Sequence, residues 1–156
     1  MDDLDRFFNP NGVAIIGASS SPDKLSYGVV RNLKGHGYRG PIYPINPKGG
    51  EILGLKVYPT ILDVPDPVEL SVIMIPAPLV PEALRQCGQR GLKAVIVITG
   101  GFREVGPEGE ALEHTLKEIG ETYGIRLIGP NCVGVIDAHL PLDTTFIKEM
   151  PRPGHI

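Results

Sequence analysis

The sequence predicts an α/β domain in which a mostly parallel sheet is doubly wound and covered by helices on both faces. Short runs of apolar, often β-branched residues recur along the chain, and segments with the spacing of amphipathic helices separate them. Near-continuous apolar runs are typical of strands that are buried on both sides of a parallel sheet. Strands that alternate with helices indicate a doubly wound, Rossmann-like arrangement.

The first strand and helix are defined by apolar spacing and by glycines. The run VAIIG, residues 13–17, is a strand that a glycine ends. Apolar residues then recur at helical spacing, at Val29, Val30 and Leu33. We expect this helix to begin with Ser26 as its N-cap and to end at Gly35 or Gly37. The run PIYPIN, residues 41–46, is the second strand.

The middle of the chain contains a less regular segment and then a further strand and helix. Residues 51–65, EILGLKVYPTILDVP, are expected to form an irregular excursion with one turn of helix. Residues 69–76, ELSVIMIP, form a third buried strand. Pro78 and Pro81 lie near the start of a helix that runs to about Arg90, because proline is tolerated in a first helical turn.

The last regular elements are two strands with an amphipathic helix between them. Residues 93–101, KAVIVITGG, contain the fourth strand, and residues 125–129, IRLIG, contain the fifth. Between them, residues 107–124 place leucine and isoleucine on one face and Glu and Lys on the other. The pattern then fades, so we expect one domain over residues 1–140 and a linker or the start of a following domain over 141–156.

Composition excludes several classes of function. The 156 residues are 42% hydrophobic and 21% charged, with a formal net charge of −3 and no dense run of Lys and Arg. A nucleic-acid or polybasic membrane role is therefore not expected, and no apolar run approaches the ~20 residues of a membrane helix. The acidic start lacks the pattern of a signal peptide. Two cysteines without a CxxC motif predict neither a disulfide framework nor a zinc site, and they fit the cytoplasm.

Ligands of open parallel sheets bind beyond the carboxyl ends of the strands, so the loops after the strands hold the candidate site. The first loop, residues 17–28, is rich in hydroxyls and leads into a helix N-terminus, which suits a phosphate. It is not a GxGxxG motif, and a plain strand-to-helix loop is the alternative. Lys48 in NPKGG stands where an NAD enzyme has an acidic residue. It either pairs with a ribose phosphate, as in NADP or coenzyme A, or is a solvated surface lysine.

The remaining loops contribute smaller signals. Pro76 in IPAP either offers a flat apolar support for an adenine or only closes its strand. Asn131 in GPNCVG presents a side-chain amide at a strand end. Cys132 has no evident histidine partner, so we interpret it as a packed thiol and not as a nucleophile.

Taken together in this order and spacing, these motifs resemble a known family. The strings VAIIGASSSPDKLSYGVVRNL, PINPKGG, IPAPLVPEAL, VIVITGGF and RLIGPNCVG are similar to the N-terminal CoA-binding domain of the NDP-forming acyl-CoA synthetases. That superfamily includes the succinyl-CoA synthetase alpha subunit. The resemblance covers residues 7 to about 134, and RLIGPNC and NPKGG are its most specific parts.

The resemblance implies a binding site for coenzyme A (CoA). In that superfamily the first loop and the following helix hold a CoA phosphate, the lysine after the second strand also binds CoA, and the proline lies beside the adenine. The residues that these roles and the fourth and fifth strand ends imply are Gly17, Ser19, Ser20, Gly28, Lys48, Pro76, Ile98, Thr99, Asn131 and Cys132. Gly100 departs from the glutamate of the succinate enzymes, so no acidic role is transferred to it.

The implied function is that of the CoA-binding part of an ADP-forming acyl-CoA (acetate–CoA) ligase, inactive alone. CoA or acyl-CoA and the remaining domains or subunits of the synthetase are its implied partners. The family's phosphorylated histidine belongs to the next domain, and we expect surface histidines here, at His36, His114, His139 and His155. Two alternatives stay open: a CoA-sensing regulatory domain of a protein acetyltransferase and an NAD(P)-binding domain of an oxidoreductase.

Overall fold

Nine short strands and four α-helices form the regular part of the computed structural model, which describes residues 4–154. The strands are β1 (Val13–Ile16), β2 (Ile42–Ile45), β3 (Glu51–Ile52), β4 (Leu55–Lys56), β5 (Leu70–Ile73), β6 (Ala94–Val97), β7 (Arg126–Ile128), β8 (Ile136–Asp137) and β9 (Leu142–Asp143). The helices are α1 (Asp5–Phe8), α2 (Leu25–Gly35), α3 (Val80–Gln89) and α4 (Pro107–Tyr123). Within these described residues, no helix combines the length and apolar character needed to cross a bilayer.

Five of the strands form the central parallel sheet, in the order β2-β1-β5-β6-β7. From β1 the chain moves outward to β2 and then returns to place β5 on the other side of β1. The direction of winding therefore reverses between β1 and β5, which confirms the predicted doubly wound fold. The other four strands form the antiparallel hairpins β3–β4 and β8–β9.

The sheet is buried on both faces, and this explains why β1 and β6 are continuously apolar and why β5 departs from this only at Ser71. Ala14 and Ile16 of β1 pack into the hydrophobic cluster that also holds Leu116 of α4 and side chains of α3. Val13 and Ile15 point the other way, into the cluster that holds side chains of α2. All four residues of β1, of β5 and of β6 are buried. An apolar side chain at nearly every position is what two covered faces require.

The start of the first long helix differs from the prediction. Lys24 has an extended backbone, with φ −89° and ψ 137°, and is the N-cap of α2, although its side chain makes no capping hydrogen bond. Ser26 lies inside the first turn and is buried, so the prediction of Ser26 as the N-cap is wrong. Packing of the helix onto the sheet, and not a local cap, decides where it begins. The predicted end at Gly35 is confirmed.

Residues 51–65 form the predicted irregular excursion. They contain the hairpin β3–β4 and one 3-10 turn, Ile61–Asp63. Thr60 caps this turn: its hydroxyl accepts from the Leu62 N–H, and the Asp63 carboxylate accepts from the Thr60 N–H.

The segment after β8 is held against α2 by a buried carboxylate. Asp143 is fully buried. Its Oδ2 lies 2.8 Å from His36 Nδ1 and accepts a hydrogen bond from Asn32 Nδ2 at 3.2 Å. Its Oδ1 accepts hydrogen bonds from the backbone N–H and the hydroxyl of Thr145, at 2.8 Å and 2.7 Å. A buried charge is tolerated only with such complete hydrogen bonding.

One face of α2 contacts residues 143–147 of this segment, because positions 28, 32 and 36 are four residues apart and share that face. At the first turn, a Cβ on Gly28 would lie 3.0 Å from Cβ of Phe146. The sequence assigned residues 141–156 to a linker or a following domain. In the structure, residues 142–145 of this segment are buried in the domain, between 0% and 1% exposed.

We predict that Asp143→Ala destabilises the domain by about 3 kcal/mol, because it removes the acceptor of the buried N–H and hydroxyl of Thr145 and the partner of the His36 ring. Urea unfolding followed by circular dichroism measures this change. Asp23→Ala, which removes an exposed carboxylate, is the control and should change the free energy of unfolding by less than about 0.5 kcal/mol. Equal stability of the two variants would contradict the assigned role of Asp143.

Candidate functional site

A cleft of about 340 Å³ opens at the carboxyl ends of β1, β5 and β6. Its lining comes from the start of α2 and from the loops after β5 and β6: Lys24, Leu25, Ser26, Met74, Ile75, Pro76, Ile98, Thr99 and Gly100. Larger cavities lie elsewhere, one of about 570 Å³ beside α4 and β7 and one of about 460 Å³ around Tyr38 and His139. We assign the site to the smaller cleft because it lies where the strand order reverses, the position at which open α/β sheets bind ligands.

Three residues predicted from the sequence, Pro76, Ile98 and Thr99, line this cleft directly. Pro76 is exposed and Ile98 is buried, so the two present apolar surface at the mouth and in the wall. The Thr99 hydroxyl donates to the Ile75 carbonyl at 2.8 Å. This bond joins the loops after β5 and β6, and the hydroxyl oxygen of Thr99 keeps a free lone pair.

The loop after β1 makes a tight turn that only glycine permits. Gly17 has φ +92°, and a Cβ there would lie 2.4 Å from the Met74 carbonyl oxygen. The Gly17 N–H donates to the Ile45 carbonyl at 3.0 Å, and this bond fixes the turn to the end of β2. Ser19 Oγ accepts from the Ser21 N–H at 3.1 Å and so shapes the loop locally, while Ser20 is exposed.

Asn46 joins this loop to the loop that carries Lys48, a role that the sequence analysis missed. Its Nδ2 donates to the Ala18 carbonyl at 2.9 Å, and its Oδ1 accepts from the Lys48 N–H at 3.0 Å. Lys48 is exposed and is followed by Gly49 and Gly50, both at positive φ. The tie holds the Lys48 turn beside the hydroxyl-rich loop. An asparagine just before a proline–lysine pair at a strand end was the available signal.

Two further residues at this edge were also missed. Lys24 is exposed in the cleft, at the start of a helix whose first turn contains no acidic residue. Glu104 accepts a hydrogen bond from the Gly101 N–H. This bond holds the pKa of the Glu104 carboxyl below its ordinary value, so the group stays ionised at neutral pH. A cation before a helix and an acid within a glycine loop are weak signals in a sequence.

Gly28 does not reach the cleft, because the space above it is filled by Phe146. The three histidines within the described residues also lie apart from the cleft. The His36 ring contacts Asp143. On the exposed face of α4, His114 Nδ1 lies 3.4 Å from Glu118 Oε1, and His139 lines the cavity around Tyr38. The side chain of His36 is partly exposed, at 21%, and His155 lies outside the described residues.

The loop after β7 brings Asn131 and Cys132 to the same edge. Asn131 has φ +56°, and its N–H donates to the Thr99 carbonyl at 3.0 Å. The Cys132 thiol donates to the Val97 carbonyl at 3.4 Å and is half-buried. This burial raises the pKa of Cys132 above that of a free thiol, so the group is a poor nucleophile at neutral pH.

Comparison with known proteins gives this site a context. Residues 11–138 match the family described as the CoA binding domain. The chain is 46% identical over 153 residues to the alpha subunit of ADP-forming acetate–CoA ligase II of Pyrococcus furiosus, covering 98% of this chain and 33% of that protein. It is 47% identical over 147 residues to the ADP-forming acetate–CoA ligase of Methanocaldococcus jannaschii, covering 94% and 20%.

A solved structure agrees with the sequence matches. The dinucleotide-forming acetyl-coenzyme A synthetase 1 of Ca. Korarchaeum cryptofilum, in complex with phosphate and ADP, superimposes with a TM-score of 0.89 at 44% identity. That match covers 94% of this chain and 31% of the other. The chain therefore spans between a fifth and a third of the length of these relatives.

We predict that iodoacetamide labels Cys132 of the native protein more slowly at neutral pH than it labels a free thiol, and that the rate rises only at higher pH. The reason is that a raised pKa leaves less thiolate at any given pH. Mass spectrometry of the labelled protein, with Cys132→Ser as the control, measures the rate. Burial raises the pKa of Cys87 to about 12, so Cys87 should react only after unfolding. Labelling of Cys132 as fast as that of N-acetylcysteine would contradict the assignment.

Proposed function

We propose, from the premise that this chain belongs to the family of CoA-binding domains, that it is the part of a longer ADP-forming acyl-CoA ligase that holds CoA at the carboxyl ends of its strands. The observation that carries the proposal is the position of four loops along one edge of the sheet, at and beside the cleft. Side-chain hydrogen bonds join the loop after β1 to the Lys48 turn through Asn46, and the loop after β5 to the loop after β6 through Thr99. A long ligand with separated phosphates, such as CoA, can contact all of them at once.

The phosphates of CoA account for the cations of this edge. Lys24 lies in the cleft, beside the N-terminus of α2, whose free N–H groups and partial positive charge favour a diphosphate. Lys48 lies on a separate turn and suits the 3′-phosphate of the adenosine. Two cations on two loops match a ligand that carries its phosphates in two places.

The apolar surface accounts for the rest of the nucleotide. Pro76 and Ile98 offer an apolar ledge and wall against which an adenine can stack. Asn131, on the loop after β7, has a side-chain amide suited to the polar groups of the pantetheine arm.

The residues of the cleft hold a ligand and do not react with it. Among the nine that line it, Lys24 has the only ionisable side chain, and the Cys132 thiol is protonated at neutral pH. We therefore assign acyl and phosphoryl transfer to the remaining domains or subunits of the longer protein. We also place the protein in the cytoplasm, where its two free cysteines stay reduced.

Isothermal titration of the chain with CoA, dephospho-CoA, NAD and NADP tests the proposal. CoA should bind most tightly, because only CoA carries both a 3′-phosphate and a pantetheine arm. NAD should bind more weakly than CoA, since no acidic residue follows β2 to hold its ribose hydroxyls. Binding of NAD that equals or exceeds binding of CoA would overturn the proposed function.

Replacing Lys48 tests its pairing with the 3′-phosphate. Lys48→Ala should weaken the binding of CoA by about 1.5 kcal/mol, which is roughly a tenfold loss of affinity. The affinity for dephospho-CoA should stay nearly unchanged. Lys117→Ala, on the exposed face of α4, is the matched control for the loss of one positive charge. If Lys48→Ala lost the same affinity for CoA as for dephospho-CoA, Lys48 would pair with the diphosphate and not with the 3′-phosphate.

A further inference from the structure

Two oxygen atoms from different loops converge on the empty space beside Gly100. A Cβ built on Gly100 would lie 3.1 Å from Oε1 of Glu104 and 3.2 Å from Oδ1 of Asn131. Gly100 is exposed and lines the cleft. That point lies one covalent bond from the Gly100 Cα, so it marks the place of a side chain and not of a ligand atom. The two acceptors therefore flank the open face of Gly100, and any side chain at position 100 would contact both and block a ligand from that face.

Each acceptor is held by contacts of its own. Glu104 belongs to the 3-10 turn Arg103–Val105 and accepts from the Gly101 N–H, while Arg103 ties the turn to α4 through Glu113 at 2.8 Å. Asn131 belongs to the loop after β7, which its N–H fastens to the Thr99 carbonyl. The Glu104 carboxylate and the Asn131 backbone are therefore held by separate contacts, each within the protein itself.

The chemistry of this pair selects the part of a ligand that can bind there. An ionised carboxylate and an amide oxygen both accept hydrogen bonds, and the negative charge repels a phosphate. The cations of the edge, Lys24 and Lys48, follow β1 and β2, whereas Glu104 and Asn131 follow β6 and β7, on the other side of β5 in the sheet. In CoA the phosphates are all on the nucleotide half. The pantetheine arm is uncharged and contains two amide N–H groups.

We propose that Glu104 and Asn131 form an acceptor pair across Gly100 that binds an amide N–H of the pantetheine arm. This inference rests on the proposed function, and it adds a residue, Glu104, and a reason for the glycine at position 100. The pair makes the site specific for the arm, whereas the lysines make it specific for the phosphates.

The test compares CoA with adenosine 3′-phosphate 5′-diphosphate, which keeps the nucleotide and its phosphates but lacks the arm. In the 156-residue chain, Glu104→Ala and Gly100→Ala should each lower the affinity for CoA by about threefold to tenfold. Neither should change the affinity for the truncated ligand. Glu104→Gln keeps an acceptor oxygen for Gly101 and for the ligand, so its loss of CoA affinity should be smaller.

Matched controls separate the site from general effects of the substitutions. Glu108→Ala removes an exposed carboxylate at the start of α4, and Gly35→Ala adds a methyl group with no atom within 4 Å. Both should bind CoA and the truncated ligand like the unaltered chain. Circular dichroism and thermal unfolding verify that each variant is folded, and Glu104→Gln serves as the test if Glu104→Ala does not fold.

Two outcomes would overturn the inference and leave the proposed function standing. One is unchanged affinity for CoA in both Glu104→Ala and Gly100→Ala. The other is an equal loss of affinity for CoA and for the truncated ligand in Glu104→Ala, which would show that Glu104 only shapes its loop. An unaltered chain that binds neither ligand would overturn the proposed function and this inference with it.

Discussion

The in-register pairing of the parallel strands is the constraint on which the site depends. Val13 of β1 pairs with both Ile42 and Leu70, and Leu70 in turn pairs with Ala94. Because the strands start level and have equal lengths, their last residues also lie level across the sheet: Ile16, Ile45, Ile73 and Val97. The loops that follow therefore emerge side by side along one edge. A stagger between neighbouring strands would separate loops that now share hydrogen bonds.

Those loops are held together by side chains that bond to the backbone of a neighbouring loop or of a neighbouring strand end. Asn46 reaches the Ala18 carbonyl, Thr99 reaches the Ile75 carbonyl, and Cys132 reaches the Val97 carbonyl. Each bond satisfies a polar group that the end of a strand leaves without a partner. Each also removes freedom from a loop before a ligand arrives, which lowers the entropy lost on binding. The same contacts thus stabilise the edge and prepare it for a ligand.

Helix α2 connects the stability of the domain to the cleft. Its N-terminus borders the cleft through Lys24 and Ser26, while another part of its surface packs on the segment around Asp143. The contact between Gly28 and Phe146 lies in the first turns of the helix, close to the cleft. Residues more than a hundred positions later in the chain therefore help to fix the direction of the helix end that faces the ligand.

The sequence by itself determined the parallel strands, the helices between them, the doubly wound class and the loops in which to search for a site. These features follow from the spacing of apolar residues and from glycines, which are local properties of a chain. Tertiary structure decided that Ser26 is not a cap, that Gly28 faces Phe146 and that Glu104 turns back toward Gly100. Those outcomes depend on which surfaces pack together and on the direction of each side chain, and contacts between distant positions leave no periodic signal in a single sequence.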